Sequence, residues 1–200
     1  MANFSIQECL PEHLPQVLNI YNHYVRHTII TFDIEEQPLS YVQGTYESVQ
    51  EAKLPYLVAL LPTSSPMEKG TVMGYTYATQ FRPRRAYAAS VEISLFCHPD
   101  YKGRGCGSRL LEALIQALRE VPVSEARENG VKEMLAVCSL DPANDVRDFY
   151  RKLGFKDRGH LRNVGCKFGK WWDTAYSQLS LRSEEENRDI EDGRETAGRV

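Results

Sequence analysis

A strand, a glycine-rich turn and a helix follow one another between Val91 and Leu118, and this order constrains the fold of the whole chain. Val91–Cys97 consists mostly of apolar or β-branched residues, which is typical of a buried strand. His98-Pro99-Asp100 ends the strand, because proline has no amide to donate to a sheet. Apolar residues then recur at the spacing of a helix; they are Leu110, Leu111, Leu114, Ile115 and Leu118.

The turn between strand and helix, Lys102-Gly103-Arg104-Gly105-Cys106-Gly107-Ser108, is suited to hold phosphate. The first amides of a helix lack internal partners and carry the positive end of the helix dipole. Glycines let the backbone approach a ligand closely and adopt a positive φ, and Lys102 and Arg104 add charge. The turn therefore predicts a pocket for phosphate oxygens, although glycine turns also join strands to helices without binding a ligand.

The spacing of the glycines excludes two common phosphate loops. The dinucleotide pattern G-x-G-x-x-G needs a glycine three residues after Gly105, and the Walker pattern needs a lysine after Gly107; neither is present. The pattern that matches is Q/R-x-x-G-x-G/A, with Lys102 at the first position. It resembles the coenzyme A pyrophosphate loop of the GNAT N-acetyltransferases, where main-chain amides matter more than the first side chain.

Length and composition favour one domain that neither binds nucleic acid nor spans a membrane. Of the 200 residues, 42% are hydrophobic and 26% charged, which suffices for one core. The net charge of −3 argues against a nucleic-acid surface, and no apolar stretch reaches the roughly 18 residues that cross a membrane. The first residues lack the features of a secretory signal. Five scattered cysteines favour a reducing compartment, so we expect a cytoplasmic protein.

Seven strands and four helices are predicted along the chain. The predicted strands are Phe4–Cys9, Tyr56–Leu61, Thr71–Phe81, Val91–Cys97, Lys132–Ser139, Phe155–Leu161 and Cys166–Leu181, with Arg162–Gly165 connecting the last two. The predicted helices are Pro11–Val25, Pro38–Lys53, the helix after the glycine-rich turn that contains Leu110–Leu118, and Asp145–Leu153. Residues 183–200 are highly charged with almost no apolar side chains, so we expect a disordered tail after a single domain at 1–182.

The order of these elements and three separate stretches resemble one branch of the GNAT family. The stretches are Tyr21–Val25 with Thr31-Phe32, Phe81–Tyr87 with Val91-Glu92, and Asn144–Phe155 with Val164–Asp173. Together they resemble the phosphinothricin N-acetyltransferases, a branch that includes acetyltransferases of methionine sulfone and methionine sulfoximine. The resemblance covers Phe4–Leu181. It implies an α/β fold, namely a single GNAT domain with a mixed, mostly antiparallel sheet, a central splay and flanking helices.

The same resemblance implies an activity and its partners. Acetyl-CoA would be the cosubstrate, without a metal, and the acetyl group would pass to the α-amine of a small amino-acid-like substrate by direct attack in a ternary complex. Members of the branch are usually homodimers. The sequence leaves open another amine, such as a peptide N-terminus or a polyamine, and a non-catalytic acyl-CoA sensor. The arginines near the expected pocket argue against a polycation, and Glu92 argues against a sensor.

Two residues are candidates for proton transfer. Acyl transfer to an amine needs a base, a donor for the developing oxyanion and a proton for the leaving thiolate. Glu92 is the candidate base, because an acid in an apolar strand is unusual and a low-dielectric cleft raises the pKa of a carboxyl group. The alternative is an ion pair with Arg82, Arg84 or Arg85. The resemblance places the family's catalytic glutamate on Glu92.

The resemblance also places a general-acid tyrosine on Tyr150, where the alternative is a packed side chain. The phosphinothricin branch often has histidine at this position. Tyr21 is expected to pack in the core. Cys106, beside a helix N-terminus, is either a small filler residue or a reactive thiol, and the histidines and cysteines lack the spacing of a metal site.

The binding residues are expected on three segments. The cofactor should contact the main chain of Leu95, Phe96 and Cys97, the turn residues Lys102, Gly103, Arg104, Gly105, Cys106, Gly107 and Ser108, and Asn144, although Val146 replaces the serine of the family pattern. The acceptor should contact Phe32, Arg82, Arg84, Tyr87 and Lys167, since arginine forms paired bonds to planar anions. Arg84 and Tyr87 match the positions of the branch best, and a solvated arginine loop is the alternative.

Overall fold

The protein is described from a computed structural model, which covers residues 4–62, 70–124, 127, 130–142 and 145–182. The strands are β1 Ser5–Glu8, β2 Tyr56–Leu60, β3 Val72–Gln80, β4 Ser90–Cys97, β5 Glu133–Leu140, β6 Lys156–Lys167 and β7 Lys170–Ser180. The helices are α1 Leu14–His27, α2 Leu39–Glu51, α3 Cys106–Arg119 and α4 Arg147–Lys152. Two predictions, the disordered tail 183–200 and the cofactor contact of Asn144, fall outside the described residues.

The strands form one mixed sheet, as predicted. The strand order is β1-β2-β3-β4-β5-β7-β6, and every neighbouring pair is antiparallel except β4 and β5. The parallel pair is joined through α3, because parallel strands need a crossover connection. β4 and β5 are paired only from Ser90↔Glu133 to Ile93↔Ala136, although the strands continue to Cys97 and Leu140. This separation is the central splay, and it confirms the predicted α/β fold.

Helices cover both faces of the sheet, and the register of β3 and β4 shows which side chains face which helix. Residues directly opposite each other in an antiparallel pair share a face. Gly74 lies opposite Cys97 and faces α3, where Leu110 is fully buried. Phe96 faces α1, since its ring centroid lies 5.4 Å from that of Tyr24. The alternation along β4 therefore places Glu92 on the α1 side.

The last two strands differ from the prediction. β6 continues through Arg162–Gly165 to Lys167, and the turn follows at Phe168-Gly169, whose φ angles are 52° and 72°. The predicted strand Cys166–Leu181 therefore contains the hairpin turn. The register of β6 against β7 is irregular between Leu161 and Gly165, which interrupts the strand-like alternation of side chains. The interrupted pattern therefore predicted a connection between two strands. β4 begins at Ser90, one residue before the predicted Val91, and Arg85–Tyr87 in the loop before it forms a 3-10 turn.

Replacing Gly74 with alanine is expected to destabilise the protein by about 1–3 kcal/mol. A Cβ at this position would lie 2.8 Å from the Phe96 carbonyl oxygen, 3.1 Å from Leu110 Cδ1 and 3.2 Å from Cys106 Sγ. The control is Gly44→Ala on α2, where a Cβ would meet nothing within 4 Å and alanine is the better helix former. Urea unfolding measures both changes, and equal stability of Gly74→Ala and the unsubstituted protein would contradict the expected clash.

Candidate active site

A cleft of about 540 Å³ opens at the splay between β4 and β5. Its described lining residues come from α1 and the segment after it, from α2, from β3, β4 and β5, from the turn before α3 and the first turn of that helix, and from α4 with the segment before it. The lining residues include Tyr21, Tyr24, His27, Thr31, Tyr41, Tyr77, Glu92, Leu95, Cys97, Lys102, Gly107, Cys138, Phe149 and Tyr150. In the described part of the chain, no helix is long and apolar enough to cross a membrane, and no group of three or more His, Cys, Asp or Glu could hold a metal ion.

The edge of β4 presents main-chain groups to the splay. The His98 amide donates to the Met73 carbonyl oxygen at 2.7 Å, and the Phe81 amide donates to the Ser90 carbonyl oxygen at 3.0 Å. Even-numbered residues of β4 therefore turn their main chain toward β3, because main-chain direction alternates along a strand. Leu95 and Cys97 consequently direct their main-chain amides and carbonyls into the splay. An extended ligand that contains amides can form hydrogen bonds with the main chain of Leu95 there. Phe96 directs its main chain toward β3.

The turn before α3 has the geometry of an anion site. Gly103 and Gly105 have φ angles of 73° and 80°, which favour glycine, and a Cβ on either would meet nothing within 4 Å. α3 begins at Cys106, so its first amides lack partners inside the helix. Lys102 lines the cleft, whereas the Arg104 guanidinium lies 5.2 Å from the ring centroid of Tyr101. This arrangement fits the pyrophosphate of coenzyme A.

Cys97 and Cys106 meet where β4 and α3 converge. Cys106 is buried, and its thiol donates a hydrogen bond to the Cys97 sulfur. This hydrogen bond and burial raise the pKa of Cys106, whereas the same hydrogen bond lowers the pKa of Cys97. The buried position and raised pKa agree with the interpretation of Cys106 as a small filler residue rather than a reactive thiol.

Glu92 lies in the cleft and is half-buried. Burial raises the pKa of its carboxyl group, and the nearby charge of Arg82 opposes this effect. Arg82 Nη1 lies 3.8 Å from Glu92 Oε2, and its guanidinium carbon lies 4.0 Å above the ring centroid of Phe81. The ion pair considered from the sequence is thus present but long. It leaves Glu92 with the raised pKa that suits a base.

Tyr150 reaches the same cleft from α4. Its ring packs against Phe149 and Phe155, with centroid distances of 5.2 and 5.3 Å, and its hydroxyl is hydrogen-bonded with the Cys138 thiol. Burial raises the pKa of Tyr150 well above its ordinary value. The hydroxyl therefore stays protonated and can donate a proton, even though the ring is packed.

A tyrosine-rich wall bounds the α1 side of the cleft. The Tyr21 hydroxyl donates to Asp33 Oδ2 at 2.6 Å, and it lies 3.0 Å from Thr31 Oγ1 and 3.3 Å from the Tyr41 hydroxyl. Its ring stacks on Tyr41 with a centroid distance of 5.4 Å. Tyr21 is buried, as the sequence predicts, but its hydroxyl also organises this wall. Tyr77 lines the cleft as well.

Sequence reasoning missed several of these cleft residues. Tyr24 donates from its hydroxyl to the Cys97 carbonyl oxygen at 2.5 Å; its place three residues after Tyr21, on the same helix face, is the available signal. The sequence around Tyr41, Tyr77 or Cys138 does not indicate a place in the cleft, because only the packing of the sheet and helices brings these residues there.

None of the residues predicted for the acceptor is among the described residues that line the cleft. Lys167 is buried, and its Nζ donates to the Thr31 carbonyl oxygen at 2.8 Å. The ring of Phe32 fills the space where a side chain at Gly165 would lie. Arg82 contacts Glu92, as described above. The other two predicted residues lie on the loop after β3: Arg84 is exposed and Tyr87 is 41% exposed.

Comparisons with known proteins agree with this geometry. Residues 67–157 match the family model described as an acetyltransferase (GNAT) domain. The phosphinothricin N-acetyltransferase of Alcaligenes faecalis is 33% identical over 171 residues, which cover 85% of this chain and 79% of that protein. The L-methionine sulfoximine/L-methionine sulfone acetyltransferase of Pseudomonas aeruginosa is 31% identical over 177 residues, covering 88% and 94%.

A solved structure gives the same similarity in three dimensions. It is a GNAT superfamily phosphinothricin acetyltransferase from Sinorhizobium meliloti in complex with AcCoA. The TM-score is 0.78 at 28% sequence identity, and the match covers 90% of this chain and 89% of that one.

Proposed function

This chain belongs to the GNAT acetyltransferase family, and we propose that it transfers the acetyl group of acetyl-CoA to the α-amine of a small amino-acid-like substrate. One observation carries the proposal: Glu92 and Tyr150 line the same cleft at the splay. The phosphate-binding turn contributes Lys102 and Gly107 to that cleft, and the tyrosine-rich wall contributes Tyr21. The relatives described above supply the acceptor class.

The cleft residues divide the chemistry between them. Glu92 accepts a proton from the acceptor ammonium, directly or through a water molecule, which frees the amine to attack the thioester carbonyl carbon. The C–N bond forms as the C–S bond breaks, and the Leu95 amide donates to the oxygen that gains negative charge. The Tyr150 hydroxyl gives its proton to the departing thiolate, and the second proton, which the acylated nitrogen loses, returns through water to the Tyr150 phenolate. The products are the N-acetylated amine and coenzyme A, and no acyl-enzyme is formed.

Lys167 is proposed to bind the carboxylate of the acceptor. Its side chain is buried, and among the described residues its ammonium donates one hydrogen bond, to the neutral Thr31 carbonyl, although an ammonium has three donors. Burial lowers the pKa of Lys167, and the charge of Asp33 opposes this effect. A bound carboxylate would offset the cost of the buried charge. Phe32, Arg84 and Tyr87 are proposed to contact the rest of the acceptor.

Replacing Lys167 with methionine is expected to raise KM for an amino-acid acceptor by about 10–100-fold, since charge-assisted hydrogen bonds are strong. Methionine keeps much of the side-chain volume, and KM for acetyl-CoA should stay close to that of the unsubstituted protein. The readout is the ratio of kcat/KM for an amino acid to that for its uncharged amide. This ratio should fall toward one in the variant. An unchanged ratio would show that Lys167 does not recognise the carboxylate.

The function is tested with purified protein, acetyl-CoA and a panel of amines, with free thiol release as the readout. Phosphinothricin, methionine sulfone and methionine sulfoximine are compared with ordinary amino acids, spermidine and a peptide. Turnover with amino-acid acceptors alone supports the proposal. Turnover with only the peptide or spermidine would overturn the acceptor class, and binding of acetyl-CoA without any turnover would favour a sensor.

We also propose a cytoplasmic homodimer with one domain at 1–182. The second copy would cover the apolar side chains that the β6–β7 hairpin exposes: Leu161, Val164, Phe168 and Trp171 are 46%, 51%, 58% and 64% exposed. Burying such a patch from water favours association. Sedimentation velocity tests the assembly, and a particle with the mass of one chain would contradict it.

A further inference from the structure

Basic side chains gather at the end of the cleft where α1 finishes beside the turn before α3. His23 and His27 lie on α1 with ring centroids 4.9 Å apart. His27 and Lys102 line the cleft, and the Lys102 Nζ lies 5.0 Å from the ring centroid of Tyr24. Lys102 thus connects the turn to α1 at this end of the cleft.

The other charges around His23 are already paired or also basic. Arg26, on the same helix, forms an ion pair with Glu36 at 3.0 Å. His98, which follows β4, lies 3.8 Å from Asp100. Burial lowers the pKa of His23, and the charges of His27, Lys102, Arg26 and His98 lower it further. In the part of the chain that the structure describes, no ion pair reaches His23, His27 or Lys102.

We propose that His23 and His27 form, together with Lys102, a second wall of the phosphate site and bind a phosphate group of coenzyme A. The unpaired amides at the start of α3 and the Lys102 ammonium attract an anion to this end of the cleft, and a histidine beside a bound phosphate gains a favourable partner when it is protonated. The inference deepens the proposed function, because coenzyme A is its ligand, but it concerns binding and not the transfer of acetyl. The phosphate bound is either the pyrophosphate or the 3′-phosphate, and both have the same recognition chemistry.

Binding by these histidines makes the affinity depend on pH. In the free protein, the lowered pKa leaves His23 neutral at neutral pH. A bound phosphate favours the protonated imidazole and raises that pKa. Coenzyme A binding therefore takes up protons, and the contribution of His23 to affinity grows as pH falls toward the lowered pKa of His23 in the free protein. The phosphate also titrates near this range, so the effect is read as a difference between two proteins.

The test is calorimetric titration of the full chain with coenzyme A and with dephospho-coenzyme A. The double variant His23→Asn/His27→Asn is compared with the unsubstituted protein at about pH 6 and about pH 8. We expect affinity for coenzyme A to fall about tenfold or more at the lower pH and less at the higher one. A loss limited to coenzyme A assigns the histidines to the 3′-phosphate, and an equal loss for both ligands assigns them to the pyrophosphate.

Controls separate this inference from the proposed function. His160→Asn replaces a histidine that pairs with Asp173 on the β6–β7 hairpin and should leave the affinity for coenzyme A unchanged. A double variant with undiminished affinity at the lower pH overturns the inference. Proton uptake by the unsubstituted protein, measured in buffers of different ionisation enthalpy, tests the same point without a variant, and its absence also overturns it. Failure of the unsubstituted protein to bind coenzyme A would instead overturn the proposed function.

Discussion

Replacing Glu92 with glutamine is expected to lower kcat by about 10²–10⁴-fold, the range typical of general-base catalysis, without weakening the binding of acetyl-CoA. Glutamine keeps the size and hydrogen-bonding capacity of the side chain but does not accept the proton of the ammonium. Glu92 lies near the start of β4, whereas the turn before α3 follows the end of that strand. Steady-state kinetics measure kcat, and calorimetric titration measures the binding of acetyl-CoA.

The pH profile distinguishes a base from a structural carboxylate. Burial raises the pKa of Glu92, so kcat/KM should fall as pH drops through this raised pKa and Glu92 becomes protonated. The glutamine variant should lose this acid limb. At high pH the acceptor amine is already free, so the difference between the two proteins should become smaller. Retention of the acid limb in Glu92→Gln would assign that limb to another group.

Arg82 offers a matched perturbation of the same carboxyl group. Its charge lowers the pKa of Glu92 across a distance of 3.8 Å. Arg82→Gln should therefore move the acid limb to higher pH and leave the fold intact, because Arg82 is largely exposed. If Glu92→Gln kept full activity, the long ion pair would be the only role of Glu92, and the assignment as base would be wrong.

The position and backbone conformation of the turn before α3 were predictable from the sequence because all of their determinants are local. The strand, the proline that ends it, the glycines and the helix lie within one continuous segment, and their spacing fixes where the amides of α3 converge. Glu92 was predictable for the same reason, since the alternation of β4 determines which face it occupies. The mixed sheet and its splay, in contrast, were inferred from resemblance, because no local pattern specifies that β4 and β5 separate after Ile93 and Ala136.

The α1 side of the cleft was less accessible to sequence analysis. Tyr21 and Tyr41 are brought together by the packing of α1 and α2, and Tyr77 by the register of β3. The hydrogen bond from Lys167 to Thr31 joins residues far apart in the chain. A tyrosine that packs in a core and one that lines a cleft have the same helical spacing, so periodicity does not separate them. The displaced β6–β7 turn has a comparable cause, because the irregular register lies in the middle of a strand.

Replacing Tyr150 with phenylalanine is expected to lower kcat by about 10²-fold or more, because the departing thiolate loses its proton donor. Tyr150 is buried, and its raised pKa keeps the hydroxyl protonated over the working pH range. Phenylalanine preserves the ring contacts with Phe149 and Phe155, so the stability of the fold should change little. The matched control is Tyr46→Phe, at a partly buried tyrosine outside the described cleft lining.

A third variant separates proton donation from packing. Tyr150→His places a side chain that can donate a proton at the position where the phosphinothricin branch often has histidine. It should keep more activity than Tyr150→Phe, even though histidine packs less well between the two phenylalanines. If Tyr150→Phe retained the unsubstituted kcat, or if both variants lost activity equally and unfolded at lower urea concentration, Tyr150 would be a packing residue. The thiolate would then take its proton from elsewhere in the cleft.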